Sequence, residues 1–303
     1  MRATAMLSVA LAGVLALGAC SSATPANQNG SSNSPSPKAV NEQARALLPA
    51  DVTQRGTLRM TGDFQYRPFD YMEGNERRGF DFELGNMVAE SLGLKPQWET
   101  TSSFGAIIPS IQNSRFDAAL ASINVTPARL QAISFVTYLR THDVLVVAKG
   151  NPGHLDASDL CGAHLSVETG SSQVQLLAAY SDDCVQHGKK AITRDEYGTA
   201  DAMYLSVQSG RSSGISVASP VAPLMVAQSK GALEEAGDVT VFDTGKLMRS
   251  ANLGVAIAKG DGALGKAVAA AIKALQSDGS FDALLKKFNL TPDAKVPAEF
   301  VTN

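Results

Sequence analysis

The chain predicts an α/β fold, and three observations carry that prediction. Short strand-patterned runs alternate with segments of helical period. The alternation occurs twice, in two units alike in plan but without a short sequence repeat. The composition, 44% hydrophobic and 18% charged, supplies core for one large or two ordinary domains. Sheets built from such alternation take ligands at the carboxyl ends of their strands.

The folded part is expected to start near Leu48-Pro49-Ala50. Gly56-Thr57-Leu58-Arg59-Met60 reads as a strand, followed by a loop from Gly62 to Phe69 rich in Gly, Asp, Tyr and Pro. Phe80 to Gly93 carries apolar residues at helical spacing and ends in a C-capping glycine. Pro96 to Thr100 predicts a strand, Ala106 to Gln112 a turn or two of helix, and Asp117 to Ile123 an apolar strand. Thr126-Pro127 is a helix start, with a capping hydroxyl and proline at the first helical position. Val144 to Ala148 predicts a buried strand.

The second unit repeats the grammar. His164 to Glu168 reads as a strand, Gly170 to Gln173 as a turn and Val174 to Tyr180 as a helix. A helix follows at Ala200 to Gly210, a strand at Gly214 to Ala218, a helix at Pro220 to Lys230 and a strand at Val239 to Phe242. The end gives a strand (Leu253 to Ala258), a helix (Ala263 to Ser277), a stop at Asp278-Gly279 and a last helix (Phe281 to Phe288).

The N-terminus has its own signature. Arg2 precedes an uncharged apolar run from Ala5 to Leu17, followed by Leu17-Gly18-Ala19-Cys20. The run suits a signal-peptide core and is too short to span a bilayer. Leu-Gly-Ala-Cys looks like a lipobox, so residues 1–19 are expected to be a signal peptide and Cys20 to be lipidated. From Ser21 to Lys38 the chain is almost entirely Ser, Asn, Pro, Gly and Ala, with one charge and no large apolar residue. It cannot bury enough surface to order, so residues 20–49 read as a lipidated start and flexible linker. The predicted location is extracytoplasmic, tethered by lipid to the outer face of the cell membrane. Cys161 and Cys184 then remain as an even pair in an oxidising compartment. They suggest a disulfide, the other reading being two buried thiols. Those cysteines with scattered His154, His164 and His187 match no zinc spacing, so no metal and no cofactor are expected. The net charge of −3 comes with no basic block, which argues against nucleic acid.

Three places put polar groups at strand ends or helix starts. In Ser122 to Arg129 a helix N-terminus offers free N–H groups, and Arg129 adds a guanidinium fork that matches a carboxylate. Arg in a first helical turn opposes the helix dipole, so it is either functional or a chance surface residue. Glu168-Thr169-Gly170-Ser171-Ser172-Gln173 puts a glycine turn and two hydroxyls before a helix, an anion cradle or merely a cap. Asp63 to Phe69, with Phe104, offers aromatic faces and a carboxylate for a ligand with an apolar or cationic portion. For Phe69, ordinary core packing is the better reading.

Several short motifs occur in one order: Gly56-Thr57-Leu58-Arg59, Tyr66-Arg67-Pro68-Phe69, Gly79-Phe80-Asp81-Phe82-Glu83-Leu84, Ile107-Ile108-Pro109-Ser110-Ile111, Phe116-Asp117-Ala118, Thr126-Pro127-Ala128-Arg129 and Ser219-Pro220-Val221-Ala222. From about Gly56 to Asn289 the chain resembles the family 3 extracellular solute-binding proteins, the amino-acid receptors of ABC importers. The resemblance implies a two-lobed periplasmic-binding-protein-like α/β fold, with two crossing strands and a ligand cleft between the lobes. Lobe one is then 50–141 plus 250–303, and lobe two 142–249. The implied carboxylate anchor is Arg129, the first-lobe contacts are Ser122 and Asn124, and the second-lobe anion contact is Ser172 beside Ser171. Tyr66 and Phe104 fall on the aromatic lid. A Cys161–Cys184 pairing also resembles lipoprotein members. The implied partners are a small-molecule solute and an ABC permease, and the chain is expected to be monomeric.

One position departs. Where amino-acid binders of the family hold the substrate ammonium with an aspartate, this chain has Ala218. A buried ammonium needs a counter-charge or full hydrogen bonding. Either the ligand lacks a free α-amino group, or another carboxylate substitutes. Glu168 and Asp63 fall at positions facing the substrate side chain and together suit a cationic group, with Asp143 a third candidate. In the other reading they face solvent or pair with Arg67. The expected function is capture of a small carboxylate-bearing solute, an amino acid or derivative with a cationic group, by lobe closure. The alternatives are a sensor uncoupled from transport, and an enzyme resembling the cyclohexadienyl dehydratases of this fold. For the latter, Glu168 is the candidate acid or base. The leading expectation is a binding protein and not an enzyme.

Overall fold

The computed structural model describes residues 39–240 and 250–303. The predicted leader, Cys20 and all but the end of the linker lie outside the described residues. Helices α1 (Glu42–Arg45) and α2 (Ala50–Arg55) lead into β1 (Thr57–Gly62). Short strands β2 (Gln65–Tyr66), β3 (Asp70–Glu73) and β4 (Glu76–Arg78) form a small antiparallel sheet. Then come α3 (Phe80–Ser91), β5 (Lys95–Thr100), α4 (Ile107–Gln112), β6 (Ala118–Ala119), α5 (Pro127–Leu130) and the long β7 (Ile133–Ala148). The next stretch holds β8 (His164–Glu168), α6 (Ser172–Gln186), β9 (Thr193–Tyr197), α7 (Ala200–Gln208), β10 (Gly214–Ala218), α8 (Ala222–Gln228) and β11 (Leu233–Asp238). The chain ends with β12 (Ser250–Ala258), α9 (Gly262–Ser277), α10 (Ser280–Lys287) and β13 (Phe300–Val301).

The strand β7 organises everything. Its first part, Ile133 to His142, pairs antiparallel with β12, continuing a sheet of order β5-β1-β6-β12-β7. From Asp143 onward its partners are β10 and β11 instead, and β10 leads to parallel β8 and β9. One continuous strand therefore belongs to two halves, each an α/β layer. In the first half Leu58, Met60, Leu84, Val88, Val255, Val268 and Phe281 fill one face between the sheet and α3, α9 and α10. Ile107, Ile111, Phe135 and Ala256 fill another under α4. In the second half Leu145, Val147, Leu165, Val167, Leu177 and Tyr180 pack with Cys184. Cys184 of α6 is disulfide-bonded to Cys161 just before β8, with the two Cα atoms 5.6 Å apart.

Differences from the sequence expectation have physical causes. Order begins before Leu48: Asn41 Oδ1 accepts the Ala44 N–H (3.0 Å) and the Asn41 N–H is donated to Ser91 O (2.7 Å). A four-residue helix shows no apolar period, so tertiary contact alone defines it. The strand expected over Asp117 to Ile123 pairs only at Ala118–Ala119, because the chain turns at Ser122, whose φ is +50°. The strand expected at Val239 to Phe242 lies earlier, as β11, with the polar sequence LEEAGD; Phe242 itself lies outside the described residues. The equally polar β9, TRDEY, was not foreseen. Both are strands of low hydrophobicity that reading by apolar alternation passes over.

Candidate ligand-binding cleft

The carboxyl ends of β6, β8 and β10 meet between the two halves and line a small, partly open pocket. The first half contributes Tyr66, Phe104, Ala121, Ser122 and Asn124. The second contributes Glu168, Ser171, Ser172, Gln173, Met203 and Ser216, with Val167, Val217 and Ala218 as apolar floor. Of the sequence-predicted residues, Tyr66, Phe104, Ser122, Asn124, Glu168, Ser171 and Ser172 are thus brought together. Arg129 and Asp63 stand just outside this lining.

Arg129 sits where the helix start predicted it. Thr126 Oγ1 accepts the Arg129 N–H (3.2 Å) and fixes the first turn of α5. The guanidinium is buried and reaches both halves: Nη1 donates to Asn124 O (3.0 Å) and Nη2 to Gly170 O (3.1 Å). It also lies over the Phe104 ring, 5.5 Å from its centroid. The α5 helix is only four residues long, so the guanidinium, not the helix dipole, supplies the positive charge.

Two further contacts join the halves. Asn124 Nδ2 donates to Ser172 Oγ (2.8 Å), and the Ala218 N–H donates to Tyr66 Oη (3.2 Å). Gly105 and Gly170 meet there as well. A Cβ on Gly170, whose φ is +80°, would lie 2.8 Å from Gly105 Cα. Tyr66 in turn stacks on Phe69, at 6.3 Å between centroids, and Phe69 is fully buried core as the sequence suggested.

Several polar atoms of the lining lack partners. Glu168 Oε1, Asn124 Oδ1, Ser171 Oγ and Ser216 Oγ are buried without a hydrogen-bond partner in the chain. Such atoms each cost about 1–3 kcal/mol when left unmatched. Glu168, at the end of β8, is 9% exposed. Burial, reinforced by the neighbouring Asp63 charge, pushes its carboxyl up to about 8. Asp63 is buried too, and burial raises it, while a hydrogen bond from the Asp70 carboxyl holds it back. Asp70, fully buried beside Asp63 and Asp81, is raised well above the carboxylate range. Neither Glu168 nor Asp63 faces solvent. Asp143, the third candidate, is fully buried on β7, where its Oδ1 accepts weakly from Gln173 Nε2 (3.5 Å). Met203 and Ser216 fall outside the sequence-derived candidates, and Gln173 enters only as the end of the Glu168–Gln173 motif. Ser216 had a signal, as a hydroxyl inside an otherwise apolar strand, GISVA. Among the described residues no group of three or more His, Cys, Asp or Glu is arranged to hold a metal.

A cleft between two α/β halves that share a strand, lined from both sides by polar groups, defines a solute-binding protein of the hinged two-lobed class. The model of the bacterial extracellular solute-binding proteins, family 3, matches residues 58–291, and the chain belongs to that family. It is 30% identical over 241 residues to the lysine/arginine/ornithine-binding periplasmic protein of Escherichia coli K12, covering 77% of this chain and 87% of that one. It is 26% identical to the L-cystine-binding protein TcyJ of the same organism, over 78% and 84% of the two chains. The fold also matches the solved structure of an ancestral arginine-binding protein bound to arginine. There the TM-score is 0.67 at 24% identity, over 77% of this chain and 98% of that one. The two-lobed architecture expected from the sequence is the one these proteins share.

Proposed function

We propose that this chain captures a small carboxylate-bearing amino acid or derivative with a cationic group, closes on it, and presents it to an ABC permease. The observation that carries the reading is the pairing of two opposite features at one cleft, one in the cavity lining and one just outside it. Arg129 brings a buried guanidinium to one side, and Glu168 brings a buried carboxyl with an unmatched oxygen to the other. A ligand with an acid at one end and several N–H donors at the other satisfies both. Tyr66 and Phe104 supply faces between which an aliphatic or guanidinium portion can lie. Relatives named for lysine, arginine and ornithine agree with this choice of ligand class. Residues 50–141 with 250–303 would move as one lobe and 142–249 as the other, hinged where β7 changes partners.

With Ala218 in the floor, the α-amino group of such a ligand has no carboxylate at that position. Glu168 in the lining, with Asp63 near it, can replace it or hold a distal cation. The mature chain would act as a monomer held outside the cell by lipid on Cys20, the linker giving it reach. Radiolabelled palmitate incorporated into the wild type but not C20A tests the anchor.

The ligand test is calorimetry with L-arginine, L-lysine, L-ornithine, L-cystine and neutral amino acids, beside mass spectrometry of small molecules released from purified protein. Binding of a cationic amino acid, lost by a factor of 100 or more in R129A, is the expected result. Retention of affinity in R129A refutes the carboxylate anchor. Preference for neutral ligands refutes the role of Glu168.

A further inference from the structure

Two non-glycine residues on the first-half side of the cleft have left-handed backbones: Phe64 (φ +56°) and Ser122 (φ +50°). An L residue resists this conformation, most of all a bulky one. Both backbones are held in the same way. The Ser122 N–H is donated to Asp81 Oδ2 (2.6 Å), and the Phe64 N–H to Asp70 Oδ2 (2.9 Å). Both aspartates are fully buried, and neither lines the cavity. The second oxygen of Asp81 accepts the Tyr138 hydroxyl (2.8 Å), so one carboxylate ties α3, β7 and the Ser122 turn together. Asp70 fits only because Gly62 has no side chain. A Cβ there would lie 2.7 Å from Asp70 Oδ2 and 2.8 Å from Leu120 O.

Both turns matter for the cleft. Ser122 reverses the chain after β6, and two residues on Asn124 presents Nδ2 to Ser172 and its carbonyl to Arg129. Phe64 directly follows Asp63. A left-handed residue is required at each point, and the sequence uses neither Gly nor Asn there. The conformation is enforced from beneath by a buried acceptor.

We propose that Asp81 is a positioning residue for ligand binding: by accepting the Ser122 N–H it holds that residue left-handed and so preforms the Ser122–Asn124 wall of the cleft. Asp70 does the same for Phe64 and Asp63. The proposal rests on the cleft being the binding site, so its test includes a readout that needs no ligand.

The variants are D81N, D81A and D81A/S122G. Asparagine keeps an acceptor for Ser122 and offers a donor to the Tyr138 oxygen. Alanine removes both bonds. Glycine at 122 adopts positive φ without a holder. The probes are L-arginine binding by calorimetry and, without ligand, deuterium exchange at the Ser122 amide. We expect D81N to bind arginine within threefold of wild type and to keep the Ser122 amide protected. D81A should bind at least tenfold more weakly with that amide exchanging at least tenfold faster, and S122G should recover part of the affinity in the D81A background. Should D81A fail to fold, restored folding and binding in D81A/S122G supports the proposal, and no restoration overturns it. Wild-type-like exchange and affinity in D81A, or D81N as impaired as D81A, also overturns it. If the wild type does not bind arginine, the functional reading fails and the exchange comparison alone decides this one.

Discussion

On the proposed reading, with Glu168 taking the ligand's cation, capture is expected to release a proton. Its carboxyl titrates at about 8, so at pH 6.5 it is almost entirely protonated. A guanidinium or ammonium set about 4 Å away interacts with its ionised form by about 4 kcal/mol at an effective dielectric of about 20. That is roughly a thousandfold change in proton affinity, enough to ionise Glu168 at pH 6.5. Close to one proton should therefore leave per cation bound. Affinity for L-arginine should rise about tenfold per pH unit below 8 and level off above it. Calorimetry at pH 6.5 in buffers of different ionisation enthalpy reads the released proton as a slope near one. At pH 9 the slope should approach zero. E168Q should remove the slope and weaken arginine binding at pH 8.5 by about 10–100-fold, the worth of a hydrogen bond to a charged group. The charged group bearing on Glu168 is Asp63, whose charge raises it; Glu168 in turn helps raise the half-buried Tyr204. The same titration acts on the free protein with a fixed sign. The carboxyl is raised on folding, so its stabilising contribution is complete below the ordinary glutamate range and is lost as pH rises toward about 8. A zero slope at pH 6.5, or one unchanged in E168Q, refutes the reasoning.

Two further outcomes follow from the geometry. The Cys161–Cys184 bridge closes a 23-residue separation, worth about 3 kcal/mol in the chain-entropy model, so C161A/C184A should melt about 6–12 °C lower. An unchanged melting temperature would mean the unfolded chain gains nothing from the cut. G170A puts a Cβ at φ +80° and 2.8 Å from Gly105 Cα, so it should hold the lobes apart and weaken binding about tenfold or more. Small-angle scattering should then show no contraction on adding ligand, and normal contraction would show that the glycine contact is dispensable.

Much of the cleft was legible because its parts announce themselves locally. Thr126-Pro127 fixed the start of α5 and hence the place of Arg129. The glycine turn before α6 located Ser171 and Ser172, and the alternation of strands and helices gave the layer architecture. The polar strands β9 and β11 stayed hidden, since their pairing is set by neighbours and not by apolar alternation. The length of β7 was hidden as well, because its first ten residues carry polar Ser134, Thr137, Arg140, Thr141 and His142 among the apolar ones. Ser122 shows the deepest limit. Nothing in LASINV signals a left-handed backbone, since the acceptor that enforces it lies 41 residues earlier in Asp81.

Selectivity in this cleft is a difference between two closed states. The contacts that join the halves, Asn124 to Ser172, Ala218 to Tyr66 and Arg129 to Gly170, are made by the chain itself. Hydrogen bonds of this kind contribute about 0.5–1.5 kcal/mol each and do not depend on what the ligand is. They favour closure on any solute that fits. A neutral solute leaves Glu168 protonated, as burial prefers, and gains only an ordinary hydrogen bond from it. A cation must draw the proton off, yet it gains a charge-assisted pair in a site shielded from water. Below pH 8 the work of removing that proton reduces the cation's advantage, and above pH 8 the work disappears. On the proposed reading, discrimination in favour of cations is therefore expected to reside in one carboxyl and to widen as pH rises toward 8, while the affinity for neutral solutes stays level.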